Sequence, residues 1–386
     1  MSSVLGPSPP SIQYFSEFLP RLKTISVCIK YPENVLPKAL HTNEQGDMII
    51  LVDNDGKQLQ LKIPVRSIPN FNVSVTGENG MLSFKLPSDP KDTQVESIER
   101  FRDIDTLTDK DSLPWSAKEM ASFKAHDDSF VCLKCHRTLI PLKSVRRIDP
   151  MPSEFWSEMM EFWHCHKPAT DSTNSYNSIN DRFNKFHPGD YNLIVGSHYI
   201  VLNPAQFAMT TIGESCNCAG CNFQLGIKDT STGNYKVYMW NLGHRVAGSS
   251  VISTFHPYLQ AFSLLIDSIS ATAIRFYVVK VKQSKDDACS RSSRLLVWCF
   301  SFGLEVVIGN LLLHNSLKVM FKNSDTEIDE FVRQSKSSSV QYDTIELDKI
   351  CYDDFASELL ETHQLLPDQQ NSFNGWDIGY IPERNS

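Results

Sequence analysis

Hydrophobic and polar positions alternate in the first part of the chain. Residues 24–31 read TISVCIKY, with apolar side chains at every second position, a period typical of a strand with one buried face. Residues 48–63 and 72–86 each place apolar runs on either side of a turn, DNDG in the first and GENG in the second. Turns of this composition between apolar runs predict β-hairpins. We therefore expect an N-terminal β-meander module over residues 1–87.

The pattern changes between residues 88 and 128, where charged and polar side chains dominate and apolar anchors are few. A segment of this kind buries too little apolar surface to form a core of its own. We interpret it as an acidic polar linker with one short helix near residues 96–101.

The central section, residues 129–245, mixes strand patterns with one helical pattern. FVCLKC (130–135) and YNLIVGSHYIVLN (191–203) contain the apolar runs expected of strands. Residues 152–166 space tryptophan, phenylalanine and methionine at helical intervals, with Ser153 as the N-cap. We interpret this apolar stripe as core packing and not as a cofactor site.

The last section, residues 246–386, alternates strand patterns with two helical ones. Residues 257–270 and 352–366 repeat apolar side chains at the helical period, whereas the apolar runs between them are typical of strands.

One apolar stretch, residues 295–313, is long enough to suggest a membrane helix. However, Glu305 and Asn310 lie inside it, and Gly303 and Gly309 break it into short pieces rich in valine, isoleucine and phenylalanine. Such pieces favour buried strands. The N-terminus also lacks the basic region and apolar core of a secretory signal. We therefore expect a soluble, intracellular protein with no membrane partner.

The charge of the chain bears on its partners. Its 386 residues include 37 lysines and arginines against 45 aspartates and glutamates, a net charge of −8. A surface that follows phosphates needs clustered cations. The densest cluster is Lys143, Arg146 and Arg147, which we interpret as a solvated face. Direct nucleic-acid binding is therefore not expected.

The cysteines carry the strongest chemical signal. Without a secretion signal, clustered cysteines are more often metal ligands than disulfides. Two C-x-x-C pairs stand out among ten cysteines: Cys132 with Cys135, and Cys218 with Cys221. Two such knuckles complete the four-sulfur shell that structural zinc prefers. We predict one structural Zn²⁺ held by these four residues, with a redox role or unliganded cysteines as the alternatives.

Other candidate ligands lie near these pairs. His164, Cys165 and His166 follow the tryptophan-rich helix, and Cys216 precedes the second knuckle. The trio could bind a second metal, replace one thiolate, or cap the last carbonyls of the helix. Because four thiolates already fill a tetrahedron, we expect Cys165 or His166 to pack against the zinc module. No phosphate loop, zinc-protease helix or nucleophile elbow occurs.

These patterns together predict an α+β, mostly β fold of antiparallel sheets with a central zinc-knuckle module and a few helices. We divide the chain into the N-terminal module (1–87), the linker (88–128), the zinc-binding module with its tryptophan-rich helix (129–245) and a C-terminal α/β section (246–386).

The central section resembles a known family. FVCLKCHRTLI, PSEFWSEMMEFWHCHKP and CNCAGCNFQLG are similar to the HECT-like, ubiquitin-conjugating-enzyme-binding family. The residues that carry the resemblance are Pro152, Ser153, Glu154, Trp156, Trp163, Cys165, His166, Leu225 and Gly226, with a closing Gly375, Trp376 and Gly379. The knuckles also resemble β-tent zinc folds, in which a metal joins two sheets.

The family resemblance implies a ubiquitin-protein ligase or ligase-like factor in the cytoplasm and nucleus. Its implied partners are a ubiquitin-conjugating enzyme, ubiquitin and a client, either a cyclin or a factor of mRNA 3′-end cleavage. The C-terminal section would carry the ligase activity. The alternative is a non-catalytic, zinc-stabilised adaptor or a chaperone for one client.

A covalent mechanism requires a nucleophilic cysteine. Cys351 is the one cysteine near the C-terminus, and position makes it the candidate catalytic residue. The neighbouring Asp353 and Asp354 are expected to raise the pKa of its thiol, which disfavours the thiolate. We therefore expect Cys351 to be a buried structural residue.

Overall fold

The computed structural model describes residues 12–31, 37–74, 77–78, 80–91, 112–151, 188–229, 233–282 and 293–385. These residues form mainly antiparallel β-sheets with four α-helices, which confirms the predicted α+β, mostly β class. Contacts group the chain into two compact units, one of residues 1–108 with 264–386 and one of residues 109–263. The four-part division drawn from the sequence stays a prediction.

The described residues contain 25 strands. Before the middle of the chain come β1 (Gln13–Leu19), β2 (Thr24–Lys30), β3 (Ala39–Thr42), β4 (Met48–Val52), β5 (Gln58–Lys62), β6 (Gly77–Glu78), β7 (Met81–Pro87), β8 (Ser129–Cys132), β9 (Thr138–Pro141), β10 (Arg147–Pro150), β11 (Asn192–Val195) and β12 (Tyr199–Leu202). After it come β13 (Met209–Ile212), β14 (Ser215–Cys218), β15 (Gln224–Lys228), β16 (Tyr235–Tyr238), β17 (Leu242–Arg245), β18 (Ile252–Thr254), β19 (Phe276–Val281), β20 (Arg294–Ile308), β21 (Leu311–Lys322), β22 (Tyr342–Leu347), β23 (Ser372–Phe373), β24 (Trp376–Ile381) and β25 (Arg384–Asn385).

The first unit is built on an 11-stranded sheet to which both ends of the chain contribute. Its main path runs β23-β24-β21-β20-β1-β2-β7-β6, with β19, β22 and β25 attached beside it. The first strand pairs antiparallel with β2 on one side and with β20 on the other. Strands β3, β4 and β5 form a separate sheet, and β4 and β5 are the hairpin predicted around the turn at residues 53–56.

The two faces of this sheet bury different clusters, because side chains alternate along each strand. Tyr14 and Ile25 pack on one face together with Ile49 of the three-stranded sheet. Phe15 packs on the other face with Tyr380. The alternating apolar residues of β2, such as Ile25, lie on the first of these faces, and the second face of the sheet is buried as well.

The structure corrects the interpretation of residues 295–313. Glycine does not break this stretch at position 303, because β20 continues through it as one 15-residue strand. The register with β21 shifts in three places between Cys299 and Val306, and Gly303 has φ 67°. Glycine adopts positive φ without steric cost and is common at bulges, so Gly303 distorts the strand and does not end it.

The described helices are α1 (Ala117–Ala125), α2 (Leu259–Thr272), α3 (Asp325–Ser335) and α4 (Lys349–Leu365). Helices α2 and α4 confirm the two predicted in the last section, whereas α1 and α3 were not predicted. Helix α1 lies in the segment interpreted as a linker, where Trp115 and Met120 are buried. The helices predicted at residues 96–101 and 152–166 lie outside the described residues. None of the four is long and apolar enough to cross a membrane.

The second unit contains two sheets. A seven-stranded sheet has the order β10-β11-β12-β16-β15-β14-β13, and a four-stranded sheet has the order β18-β17-β8-β9. The hairpin of β8 and β9 carries the first C-x-x-C pair, and the hairpin of β14 and β15 carries the second. Each sheet therefore supplies one knuckle.

Candidate metal centre

The four cysteines of the two knuckles converge on one point. The Sγ atoms of Cys132 and Cys221 lie 3.7 Å apart, and those of Cys135 and Cys218 lie 3.6 Å apart. All four sulfur atoms lie within 4.8 Å of one another. The structure thus brings together residues separated by more than eighty positions of sequence and joins two sheets at their hairpin turns.

The two knuckles share one backbone geometry. In the first, the Cys132 N–H donates to the Arg137 carbonyl, and the His136 N–H donates to the Cys132 carbonyl. In the second, the Cys218 N–H donates to the Phe223 carbonyl, and the Asn222 N–H donates to the Cys218 carbonyl. His136 and Asn222 have φ values of 59° and 58°, a region in which histidine and asparagine are enriched among non-glycine residues. Local sequence therefore specifies both turns.

The sulfur geometry fits a tetrahedral metal. Zn–S bonds of about 2.3 Å place neighbouring sulfurs about 3.8 Å apart in a tetrahedron, close to the two measured separations. Four thiolates select zinc or iron among biological metals. Cys132 and Cys218 are buried, Cys221 is half-buried and Cys135 is exposed. These four residues could therefore hold one metal ion, consistent with the predicted structural zinc.

Burial raises the pKa of the Cys132 thiol to about 12. Both metal binding and redox chemistry use the thiolate, so a bound metal displaces the proton of this thiol. What favours metal binding over the alternative redox role is the convergence of four sulfur atoms within 4.8 Å of one another.

Of the other candidate ligands, only Cys216 lies in the described part of the chain. Its Sγ contacts the Met209 sulfur at 3.7 Å, it is fully buried, and burial raises the pKa of its thiol to about 12. Cys216 is not part of the four-sulfur cluster and packs as a small apolar residue. His164, Cys165 and His166 lie outside the described residues, and their packing against the zinc module stays a prediction.

Cys351 lies in the first turn of α4 and is fully buried. Burial raises the pKa of its thiol, and Asp348 and Asp354 raise it further. Both effects disfavour the thiolate that a covalent mechanism needs. Its catalytic role stays a prediction, and its surroundings favour the structural interpretation.

A buried polar cluster beside the first knuckle was missed by sequence reasoning. The Asp128 Oδ2 atom lies 2.8 Å from His244 Nε2, and Asp128 Oδ1 accepts the Ala247 N–H at 2.9 Å. The His244 ring stacks on Phe123 of α1 with centroids 3.8 Å apart. No local pattern joins residues 116 positions apart in sequence, although the antiparallel pairing of β8 and β17 brings them together.

Fold and site define a mostly β protein in which two sheets of one unit meet at four convergent cysteine thiols. The chain belongs to the HECT-like ubiquitin-conjugating enzyme (E2)-binding family, whose model matches residues 17–378. This confirms the resemblance read from the central section. The match covers nearly the whole chain, so it includes most of both compact units.

Two fungal proteins are similar to this chain along most of their length. A protein of Saccharomyces cerevisiae described as uncharacterised is 28% identical over 381 residues, which cover 96% of this chain and 99% of that protein. A protein of Schizosaccharomyces pombe, also described as uncharacterised, is 22% identical over 296 residues, which cover 72% of this chain and 80% of that protein. No solved structure matches.

Proposed function

We propose that this protein binds a ubiquitin-conjugating enzyme carrying ubiquitin and promotes transfer to a client without forming a thioester of its own. Membership of an E2-binding family supports the partner. The observation that supports the non-covalent route is the burial of the described cysteines outside the four-sulfur cluster. A transfer by thioester needs an accessible thiolate, and the described cysteines do not offer one outside the four-sulfur cluster.

Four described cysteines lie outside that cluster. Cys28, Cys216, Cys299 and Cys351 are all buried, with exposed fractions of 2% or less. Burial raises the pKa of each thiol. None of these four can therefore approach the thioester of a charged enzyme without local unfolding.

In this proposal the zinc has a structural role. Cys132, Cys135, Cys218 and Cys221 would hold it, and the bound ion would link the hairpins of two sheets in place of a larger apolar core. A closed four-thiolate shell leaves no position for water or substrate. The second unit would thus present a rigid surface to its partners. The client, the link to mRNA 3′-end cleavage and the cellular location stay predictions.

The test is a single-turnover discharge assay. A conjugating enzyme charged with labelled ubiquitin is mixed with the full chain and free lysine, and the products are separated without reducing agent. We expect faster loss of the enzyme-bound ubiquitin and no reducible adduct between ubiquitin and this chain. Each enzyme of a purified panel is assayed separately, because the cognate enzyme is unidentified.

Two variants sharpen the assay. Cys351→Ala should leave folding and the discharge rate unchanged, because a buried structural thiol takes no part in transfer. A variant in which Cys165 and Cys289 are both changed to alanine addresses the cysteines outside the described residues. A reducible ubiquitin adduct that disappears in either variant would establish a covalent ligase. Absence of E2 binding across the panel would instead favour the adaptor or chaperone alternative.

A further inference from the structure

The described residues of the first unit form a second candidate site, separate from the cysteines. An open cleft of about 560 Å³ lies between the turn that joins β1 to β2 and the distorted part of β20. We call it the Arg275 cleft, and the lining residues that matter here are Glu17, Arg21, Leu22, Arg275, Phe300 and Lys318. Its volume is within the range of about 300–1,000 Å³ usual for ligand sites.

The irregular register of β20 shapes one wall of this cleft. The shifts between Cys299 and Leu304 bracket Phe300 and Phe302, and Gly303 with φ 67° lies beside them. Bulges change the direction in which side chains leave a strand and are common next to binding sites. Phe300 is 48% exposed and contacts the Trp298 ring edge-on, with centroids 5.4 Å apart. The rest of its ring faces the cleft opening and is accessible to a ligand.

The cleft is a positive region on a negatively charged chain. Three cations and one carboxylate line it, whereas the whole chain has a net charge of −8. Lys318 lies 3.3 Å from Glu17 with both side chains largely buried, so this pair is internally neutralised. Arg21 and Arg275 form no ion pair with any carboxylate in the described part of the chain.

Arg275 is the more informative of these two arginines. Its guanidinium lies over the Phe302 ring, 4.7 Å from the centroid, and the side chain is half-buried. Stacking on an aromatic ring holds the guanidinium plane in place and leaves its N–H donors free for a carboxylate. Partial burial removes some of the water that would solvate this cation. A bound carboxylate would compensate for that loss by forming a charge-assisted pair with the guanidinium.

Apolar surface lies beside this cation. Leu22, in the turn after β1, is 61% exposed, and with Phe300 it gives the cleft two apolar contacts next to Arg275. A ligand that fits both features carries a carboxylate and a large apolar group a short distance apart.

We propose that the Arg275 cleft binds an extended peptide segment in which an acidic side chain is followed two residues later by a large apolar one. In an extended peptide, side chains two residues apart point to the same side. Such a segment can pair a carboxylate with Arg275 while the apolar side chain two residues along packs on Phe300 and Leu22. This site goes beyond the proposed function, since it recognises a second protein independently of E2 binding.

Fluorescence anisotropy of labelled peptides with the full chain tests the site. One peptide places aspartate, phenylalanine and leucine at every second position with serine between them, and its control carries lysine in place of each aspartate. We expect saturable binding of the acidic peptide alone. Arg275→Glu should weaken it about tenfold, the value of one charge-assisted hydrogen bond. Phe300→Ser, at a half-exposed position, should weaken it without affecting the melting temperature.

Arg333→Glu is the matched charge control, because Arg333 is 78% exposed on α3 and does not line the cleft. It should leave the affinity within twofold of the original, a change of less than about 0.5 kcal/mol. Equal binding of the lysine peptide, or an acidic peptide that binds Arg275→Glu and Phe300→Ser as tightly as the original, would overturn the proposal. Binding of anionic vesicles or an oligonucleotide in place of the peptide would overturn it as well.

Discussion

Gly226 lies where β15 and β16 approach too closely for a side chain. A Cβ atom at this position would overlap the Lys236 carbonyl oxygen and would lie 2.7 Å from the Val237 Cα atom. Both contacts are with backbone, which cannot move without breaking the pairing of the two strands. Gly226 also belongs to the Leu225-Gly226 pair that carries the family resemblance. The close approach of β15 and β16 is a physical reason for glycine at this position.

Gly226→Ala should therefore lower the free energy of unfolding by about 2 kcal/mol or more, as overpacking does in rigid surroundings. Gly220→Ala is the control within the same hairpin. A Cβ there would lie 2.8 Å from Arg137 Cδ, and this flexible side chain can shift. Urea unfolding measures both variants. Equal losses would show that close strand approach is not what requires glycine at position 226.

A substitution at Cys135 distinguishes the loss of a metal ligand from the loss of core packing, because the Cys135 side chain is exposed. Exposed substitutions usually change stability by less than about 0.5 kcal/mol. Structural zinc sites contribute on the order of 10 kcal/mol, so losing one of four ligands should be far more damaging. We expect Cys135→Ser to give an insoluble or protease-sensitive protein, measured by limited proteolysis.

Lys134→Ser is the control for that variant, since Lys134 is an exposed neighbour in the same knuckle. It should resist protease as the original protein does. A soluble Cys135→Ser protein that has lost its metal and still melts at the original temperature would contradict a structural role for the metal.

A buried polar contact lies directly after helix α1, whose Phe123 ring packs on it. His244 of β17 stacks on Phe123 of the helix and bonds to Asp128, whose other oxygen accepts a backbone N–H. Removing the Asp128 carboxylate leaves the imidazole and this N–H without their partner. Each buried group so orphaned costs about 1–3 kcal/mol.

Asp128→Ala should thus destabilise the protein by about 3 kcal/mol, read from chemical unfolding. The adjacent Asp127 makes an exposed ion pair with Lys143 and has φ 59°. Asp127→Asn removes the charge and keeps a side chain that tolerates this backbone conformation, so it should cost less than about 0.5 kcal/mol. If both variants unfold at the same denaturant concentration, the buried pair does not stabilise the fold.

Helix α4 carries a pH-dependent charge at Glu358. Burial, with help from Glu361 and Asp354, raises the pKa of this carboxyl group from 4.5 to about 7. The folded protein therefore retains a proton that the unfolded chain loses between these values. The stabilisation by the neutral carboxyl is complete below pH 4.5 and is lost as the pH rises to 7.

Glu358→Gln removes the charge and should raise the free energy of unfolding at pH 8 by roughly 1–3 kcal/mol. At pH 4 it should have little effect, because the carboxyl is already neutral. Glu330→Gln on α3 removes an exposed carboxylate and should change stability by less than about 0.5 kcal/mol at either pH. A gain of equal size at both pH values would show that Glu358 titrates normally.

Elements defined by local signals were the predictable ones. The β4–β5 hairpin, the two knuckles and helices α2 and α4 each carry their turn or period within a short stretch of sequence. Helix α1 is short and polar, and its stability comes from contacts with residues such as His244 that lie far along the chain. Helix α3 is the exception, since Ile328, Phe331 and Val332 stand at i, i+3 and i+4 and pack in one cluster, a local signal that was missed.

At the scale of the whole molecule, the pairing of distant segments is what sequence patterns left open. Strand β1 pairs with β20 through Phe15 and Ile308, so the two ends of the chain share one sheet. Alternation along each strand identifies its buried face but does not name its neighbour. The cysteine knuckles were the exception, because their shared chemistry linked two hairpins before any pairing was known.

Native mass spectrometry of the full chain with charged conjugating enzymes tests the central claim most directly. One spectrum reports both the metal content of the chain and whether its complex with the enzyme is covalent. We predict a chain with one zinc ion that forms a non-covalent complex with a charged enzyme, and no ubiquitin attached to the chain itself. A chain without metal, the absence of a complex with every enzyme tested, or a covalent ubiquitin adduct would contradict the account.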